Sequence, residues 1–416
     1  MAGVGQPRRG FVGAVVLGLV VAAACGSGSG QSPRAGGAPR QTPQAQAVDA
    51  AVAQELVDSW REEVHAFGVS AAVRVPGQRD VFVASGVDDR DPATPMPTTG
   101  VFGVASITKT FVAALVLQLI DEGRLTFDDT IERWLPGVPS ASRITVEMLL
   151  NHTSGIADFA NDRPDQMRDL LVSDLQRQFT PEEALAYSTA LGPSAEPGAG
   201  FSYSNANYQA LGIIASRVTD MALGDLIADR FSGPLGLAHT ALDDGSRVTA
   251  DAQHGWFTLD YPGDPEADVA NGTFDPTVPR DLDVLDFPHA ALQTFAGGAG
   301  AITSSLDDLL AWGEALYSGR VLGPRLTQQM LRFDHEFGPQ LYGLGAEGFC
   351  PCNGSADPPT ATLVGHDGSG IGSRTILAYA ADTGVTVAVH ANVEEISTGS
   401  LARIAVALAG LARGPA

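Results

Sequence analysis

Lysine is all but missing from these 416 residues: of 25 basic side chains, 24 are arginine and one is Lys109. Arginine keeps its proton at any accessible pH, whereas a buried lysine can lose its proton and become a base. Positive charge is scarce altogether. Against 48 acidic residues the formal net charge is −23, which excludes nucleic acid and other polyanions as partners. Cysteine is rarer still, with only Cys25, Cys350 and Cys352. No histidine pair at ligand spacing lies near Cys350 and Cys352, so no metal site is expected. One residue apart, these two form either a tight disulfide or a pair of free buried thiols. Beyond residue 25 no apolar run is long enough to span a membrane; Leu401 to Leu411 is short and amphipathic. The Gly-x-Ser-x-Gly pentapeptide is absent, which disfavours a Ser-His-Asp hydrolase of that type. Nor is there a nucleotide, metal or flavin motif, so no cofactor is expected.

The N-terminus reads as an export signal over residues 1–24. Arg8 and Arg9 supply the basic region, Phe11 to Ala24 the apolar core, and Ala22-Ala23-Ala24-Cys25 the cleavage region. Arg8-Arg9-Gly10-Phe11-Val12 resembles a twin-arginine signal. Cys25 after small residues resembles a bacterial lipobox, which implies lipidation there and a lipoprotein on the outer face of the bacterial cytoplasmic membrane. Without that lipid the protein is secreted. Residues 25–48, rich in Gly, Ser, Pro, Gln and Ala, cannot bury a core and read as a tether. Residues 49–416 are long enough for a two-lobed domain.

Lys109 sits three residues after Ser106 in Ala105-Ser106-Ile107-Thr108-Lys109-Thr110. Three residues is about one helical turn, so the two side chains share a face. The apolar run Phe111 to Ile120 makes the helix an interior one, ended by Gly123. Burial lowers the pKa of Lys109. The unpaired N–H groups at the helix start favour negative charge on the Ser106 oxygen. Together these make Ser106 a nucleophile and Lys109 its base.

Helical spacing covers Val52 to Phe67, and strand-like runs follow at Val69 to Val75 and Val81 to Ser85. From 125 to about 295 the chain is mostly helical, clearest at Ile144 to Leu150, Pro181 to Thr189 and Ala206 to Thr219. Strand runs return at Leu341 to Gly345, Thr360 to His366, Arg374 to Ala380 and Val385 to His390, before a helix at about 398–412. The expected fold is α+β: one antiparallel sheet flanked by helices, built from both chain ends, with an inserted mostly helical lobe. The site would lie in the cleft between lobes.

Two further motifs flank that cleft. In Tyr203-Ser204-Asn205, which opens a helix, alternate residues point the same way. Tyr203 can move a proton if a nearby cation lowers its pKa, and Asn205 can donate to a substrate carbonyl. Taken alone, Tyr-x-Asn is a weak signal. His366-Asp367-Gly368-Ser369-Gly370 reads as a strand end and turn, where the Ser369 N–H could join that of Ser106 in an oxyanion hole. His152 reads as shaping the loop after a helix, and Asp307-Asp308 as a helix start capped by Ser304 or Ser305.

With Ser106-Ile107-Thr108-Lys109, Tyr203-Ser204-Asn205 and His366-Asp367-Gly368 in order, the chain resembles the penicillin-recognising serine hydrolases. The branch is that of class C β-lactamases, secreted D-alanyl-D-alanine carboxypeptidases and related esterases. Leu150 to Gly155, Ala299 to Ser305 and Tyr342 to Gly345 match as accessory strings. The resemblance implies a β-lactamase/transpeptidase-like fold and an acyl-enzyme on Ser106. Lys109 and Tyr203 would handle protons, Asn205 and Gly368 would hold substrate, and His366 would replace the usual lysine of the third motif. It also implies where a substrate carboxylate docks. Asp367 stands where the carboxypeptidases have threonine, and Glu347 at the ungapped place of a carboxylate-binding arginine. Two anions there would disfavour carboxylate substrates and favour an ester, or an amide uncharged at that end. The readings are therefore an envelope hydrolase of an ester or peptide-like amide, a class C-like β-lactamase, or an idle penicillin-binding or sensory module.

Overall fold

The computed structural model describes residues 45–246, 251–257, 268, 273, 275, 282–338, 340–349 and 362–413. The expected signal segment, Cys25, Cys350 and Cys352 lie outside the described residues, as does most of the tether. Among the described residues no helix is long and apolar enough to cross a membrane.

The fold is α+β. A nine-stranded antiparallel sheet is assembled from the two ends of the domain. Its strands are β1 (Gly68–Arg74), β2 (Val81–Arg90), β3 (Ala93–Pro95), β4 (His335–Phe337), β5 (Gln340–Tyr342), β6 (Glu347–Phe349), β7 (Leu363–Gly370), β8 (Ser373–Ala380) and β9 (Val385–Ala391). Across the sheet they run β3-β2-β1-β9-β8-β7-β6-β5-β4, so β1 from the start of the domain pairs with β9 near its end. Alternation decides which residues face which layer. Val69, Ala71, Val73, Ile376, Ala378, Val387 and Val389 join one apolar cluster with residues of helices α1 (Ala50–Glu63) and α7 (Thr398–Leu411). Ala72, Leu377, Tyr379 and Ala388 join the other, with α2 (Thr108–Asp121) and the inserted helices.

That insertion includes α3 (Val146–Leu150), α4 (Pro181–Thr189) and α5 (Asn205–Thr219), followed by α6 (Leu306–Tyr317). It is less purely helical than its sequence suggests: short two-residue strands occur at Ala241–Leu242, Trp256–Phe257 and Leu282–Asp283. The start of α4 is fixed by a capping box, Thr180 with Glu183, which satisfies end N–H groups from both sides. Ser305 caps α6 through the Asp308 N–H. From Phe111 to Leu117 every residue of α2 is buried, so this helix is the interior axis of its lobe. Gly123, at φ 69, follows its end.

One strand boundary differs from expectation in a way that matters. β7 does not end at His366; it continues to Gly370, and the turn falls at Ile371 and Gly372. The extension is possible because Gly368 has no side chain: a Cβ there would stand 2.2 Å from the carbonyl oxygen of Val104. This close approach lays β7 against the turn that carries Ser106.

Candidate active site

Ser106 lies in a short 3-10 turn, Ala105–Ile107, that runs directly into α2. Ala105 holds φ at 44, a left-handed value that costs a non-glycine residue about 1–3 kcal/mol. A Cβ on Gly368 would meet the Ala105 Cβ at 3.3 Å, so β7 packs hard against this turn. From the other side, the Val104 N–H donates to the Ile302 carbonyl and the Ile302 N–H to Thr108 Oγ1. The serine is thus presented, half-buried, on a turn clamped by two strands.

Lys109, on the first turn of α2, is 0 % exposed. Its Nζ lies 2.8 Å from Ser106 Oγ, 2.9 Å from Asn205 Oδ1 and 2.7 Å from the carbonyl oxygen of Ala299. Burial lowers its pKa to about 7, against the opposing pull of Asp158, Glu347 and Asp367. At neutral pH a large share of the amine is therefore free of its extra proton. Tyr203 donates to Ser106 Oγ at 3.1 Å. Here burial wins over the hydrogen bond to Ser106: the phenol is pushed well above its usual range. Tyr203 is a resting proton donor, which corrects the expectation that a cation would lower it.

Asn205 is turned by a residue that the motifs did not reveal. Its Nδ2 donates to Asp158 Oδ2 at 3.0 Å and its backbone N–H to the same oxygen at 2.9 Å, leaving Oδ1 toward Lys109. Asp158 is buried and caps a short helix through the N–H groups of Ala160 and Asn161. Asn205 therefore serves the amine first, and only the remaining Nδ2 proton could reach a substrate. The carbonyl of Ala299 is a second partner invisible as a side chain.

The third motif is split by strand alternation. His366 pairs with Leu377 and lies on the α2 face of the sheet; Asp367 pairs with Ile376 and faces α7. There Thr398 donates to Asp367 Oδ2 at 2.7 Å, and Arg374 Nη2 stands 3.7 Å away. Glu347 is 0 % exposed and its carboxyl accepts the Asp367 N–H at 3.2 Å and Gln340 Nε2 at 3.2 Å. Burial, then the neighbouring Asp367, push its pKa well up, against its charged form. The expectation that both carboxyls meet a substrate is therefore corrected: Glu347 is fully buried, and Asp367 is turned to the far face beside an arginine. Ser369, exposed and in register with Arg374, sits at the end of β7 beside the Ser106 turn, where an oxyanion-binding N–H is wanted.

His366 is not hydrogen-bonded to Ser106, Lys109 or Tyr203. Its Nε2 meets Tyr342 OH at 3.2 Å and its Nδ1 meets the Asp367 carbonyl at 2.6 Å. Ligand atoms of Glu347, His366 and Asp367 lie within 4.8 Å of one another, the only such group among the described residues. Both ring nitrogens and Asp367 Oδ2 are already engaged. Glu347 Oε1 lacks a hydrogen-bond partner, but with both ring nitrogens bonded the imidazole has no open nitrogen to offer a metal.

A serine hydroxyl held between a depressed lysine and a neutral tyrosine, on a strained turn before a buried helix, is the acyl-transfer arrangement that the resemblance anticipated. Residues 47–411 match the family described as Beta-lactamase. The chain belongs to this family of penicillin-recognising serine hydrolases. Protein Rv1367c of Mycobacterium tuberculosis is 30% identical over 303 residues, covering 65% of this chain and 70% of that protein. Esterase EstB of Burkholderia gladioli is 29% identical over 316 residues, 70% of this chain and 74% of its own. Among solved structures, the D-stereospecific amidohydrolase from Streptomyces sp. superposes with a TM-score of 0.70 at 26% identity, over 86% of this chain and 98% of that one.

Proposed function

We propose that this β-lactamase-family protein is an acyl-transfer hydrolase that cleaves an ester or amide whose leaving group carries no carboxylate. The observation that carries this reading is Lys109, buried, with Nζ 2.8 Å from Ser106 Oγ and a pKa brought to about 7. Neutral Lys109 takes the Ser106 proton as Oγ attacks the carbonyl carbon. The N–H groups of Ser106 and Ser369 receive the oxyanion. Tyr203 gives its proton to the leaving nitrogen or oxygen and regains one from protonated Lys109. Water then enters by the reverse route and releases the acid.

The leaving-group preference rests on where the cations are. Lys109 is committed to Ser106, Asn205 and Ala299, and Arg374, 2 % exposed, to Asp367 and Thr398. Neither is placed to grip a substrate carboxylate. An esterase and an amidohydrolase among the relatives fit the same preference. A carboxypeptidase-like or β-lactamase-like reading is favoured by the direction of Asp367, which faces away from Ser106, and by the penicillin-binding proteins among the relatives.

Intact-mass spectrometry after a fluorophosphonate, and separately after a penicillin, tests this with Ser106→Ala as control. A fluorophosphonate adduct alone supports the proposal. A penicilloyl adduct moves the second reading to first place. No adduct with either reagent points instead to an idle binding module. We further propose a cell-envelope location through Cys25, to be tested by radiolabelled palmitate incorporation against Cys25→Ala.

A further inference from the structure

Tyr342 closes β5 and is 0 % exposed, yet the catalytic steps above make no use of it. Its hydroxyl stands between two histidines, 3.1 Å from His152 Nε2 and 3.2 Å from His366 Nε2. Both rings are buried. One assignment of protons satisfies every bond in this chain. His152 Nδ1 faces two donors, the Ser204 N–H at 3.0 Å and Asn207 Nδ2 at 3.0 Å, so that nitrogen is bare. The His152 proton is then on Nε2 and goes to the Tyr342 oxygen. Tyr342 in turn gives its own proton to His366 Nε2, and His366 Nδ1–H goes to the Asp367 carbonyl.

We propose that Tyr342 is a positioning residue for the serine site, joining the Tyr203 loop to strand β7 through this one-directional chain of hydrogen bonds. At one end the His152 ring stacks on Tyr203 at 4.3 Å, while its Nδ1 holds the N–H of Ser204, the next residue. His152 itself keeps φ at 59, a left-handed value rarely tolerated outside glycine. The backbone is held there by the bonds to its ring. At the other end the chain stops at the Asp367 carbonyl, two residues before Ser369. The proton donor Tyr203 and the proposed oxyanion donor Ser369 arise 166 residues apart in sequence and come from different lobes, and Tyr342 fixes their spacing. Its position in the accessory string Tyr342-Gly343-Leu344-Gly345 suits this: a Cβ on Gly345 would meet the Tyr208 hydroxyl and the Ala113 Cβ, both at 2.5 Å, so the strand end is pressed onto α2 and α5.

The inference rests on the serine-hydrolase reading, and the test separates the two. Tyr342→Phe keeps the ring and removes the hydroxyl, leaving both histidines one bond short. The titratable groups around His366 are Tyr342, Glu347, Asp367, Lys109 and His152. Burial and Lys109 already hold His366 down at about 4, and the Tyr342 O–H favours the neutral ring. Removing that donor raises this pKa from about 4, whereas the acid limb of activity follows Lys109 near 7. Fluorophosphonate labelling of Ser106 should slow by roughly tenfold or more in Tyr342→Phe, with the acid limb left near 7 where Lys109 sets it. Tyr317→Phe is the control, because its buried hydroxyl has no hydrogen-bond partner; it should change neither. An unlabelled wild-type enzyme sinks the hydrolase reading. A labelled wild type with an unaffected Tyr342→Phe sinks this inference alone, as does a loss that Tyr317→Phe reproduces. Histidine 15N spectra of the wild type provide a check independent of any variant. Protons on His152 Nε2 and His366 Nδ1 are expected, and the opposite tautomer at either ring overturns the chain.

Discussion

Lys109 Nζ and Ser106 Oγ lie 2.8 Å apart, and the amine is ringed by two further oxygens within 2.9 Å and no water-facing surface. Its three contacts are all acceptors, so the site tolerates a charged amine while burial works to discharge it. The balance falls near pH 7. Because only the neutral amine can take the serine proton, the rate of Ser106 labelling should climb as pH rises through about 7 and then level off. Lys109→Arg keeps the charge and cannot lose it. That variant should label on the order of 100-fold more slowly or worse. A flat pH profile, or normal turnover by Lys109→Arg, removes the proton-acceptor role.

Asp158 tunes the same amine through space. Its charge opposes the effect of burial on Lys109, and its Oδ2 accepts both the side-chain and backbone N–H of Asn205. Asp158→Asn withdraws a negative charge, so the pKa of Lys109 falls further and the rising limb of the pH profile moves to more acid pH. Asn205 also loses a charged acceptor, which should slow labelling by roughly tenfold at the plateau. A limb that stays in place would show that Asp158 is not felt at the amine.

The fold was largely legible because its signals are local. Alternation in Val69 to Val75 and Val385 to His390 identified strands whose faces the structure then filled with Val69, Ala71, Val387 and Val389 on one side and Ala72 and Ala388 on the other. The nucleophile and base were legible because a spacing of three residues fixes their distance across the turn that runs into α2. What stayed hidden depends on chain closure or on backbone atoms. Asp158 reaches Asn205 across 47 positions, and Tyr342 reaches His152 across 190, with no spacing rule to announce either. Ala299 contributes only a carbonyl. The direction of Asp367 stays hidden if the strand is taken to stop at His366; with β7 running on to Gly370, alternation alone sends Asp367 to the α7 face.

Gly368 allows β7 to lie against the serine turn, and the space is already full. An added methyl would stand 2.2 Å from the Val104 carbonyl oxygen, a backbone atom that cannot swing aside. Gly368→Ala should push β7 away from Ala105 and Ser106 and separate the two proposed oxyanion donors. Losing one such donor costs about 100-fold or more in turnover. Circular dichroism should remain native, since the strand keeps its partners β6 and β8. Full activity in Gly368→Ala would mean that the approach of β7 is irrelevant to catalysis.

Asp367 gives the sharpest contrast between repulsion and support. If its charge repelled a substrate carboxylate, Asp367→Asn would speed acylation by a penicillin while leaving the fold intact. The geometry predicts otherwise. The carboxylate points to α7, takes the Thr398 proton at 2.7 Å and lies 3.7 Å from Arg374, which is 2 % exposed. Asp367→Asn should therefore leave penicillin acylation within a few-fold of wild type while lowering stability. Weakened charge-assisted bonds at a buried arginine cost about 1.5–3 kcal/mol, visible as a lower urea midpoint with an unchanged slope. A tenfold or larger gain in penicilloyl adduct, with no loss of stability, would show that Asp367 acts on the substrate side after all.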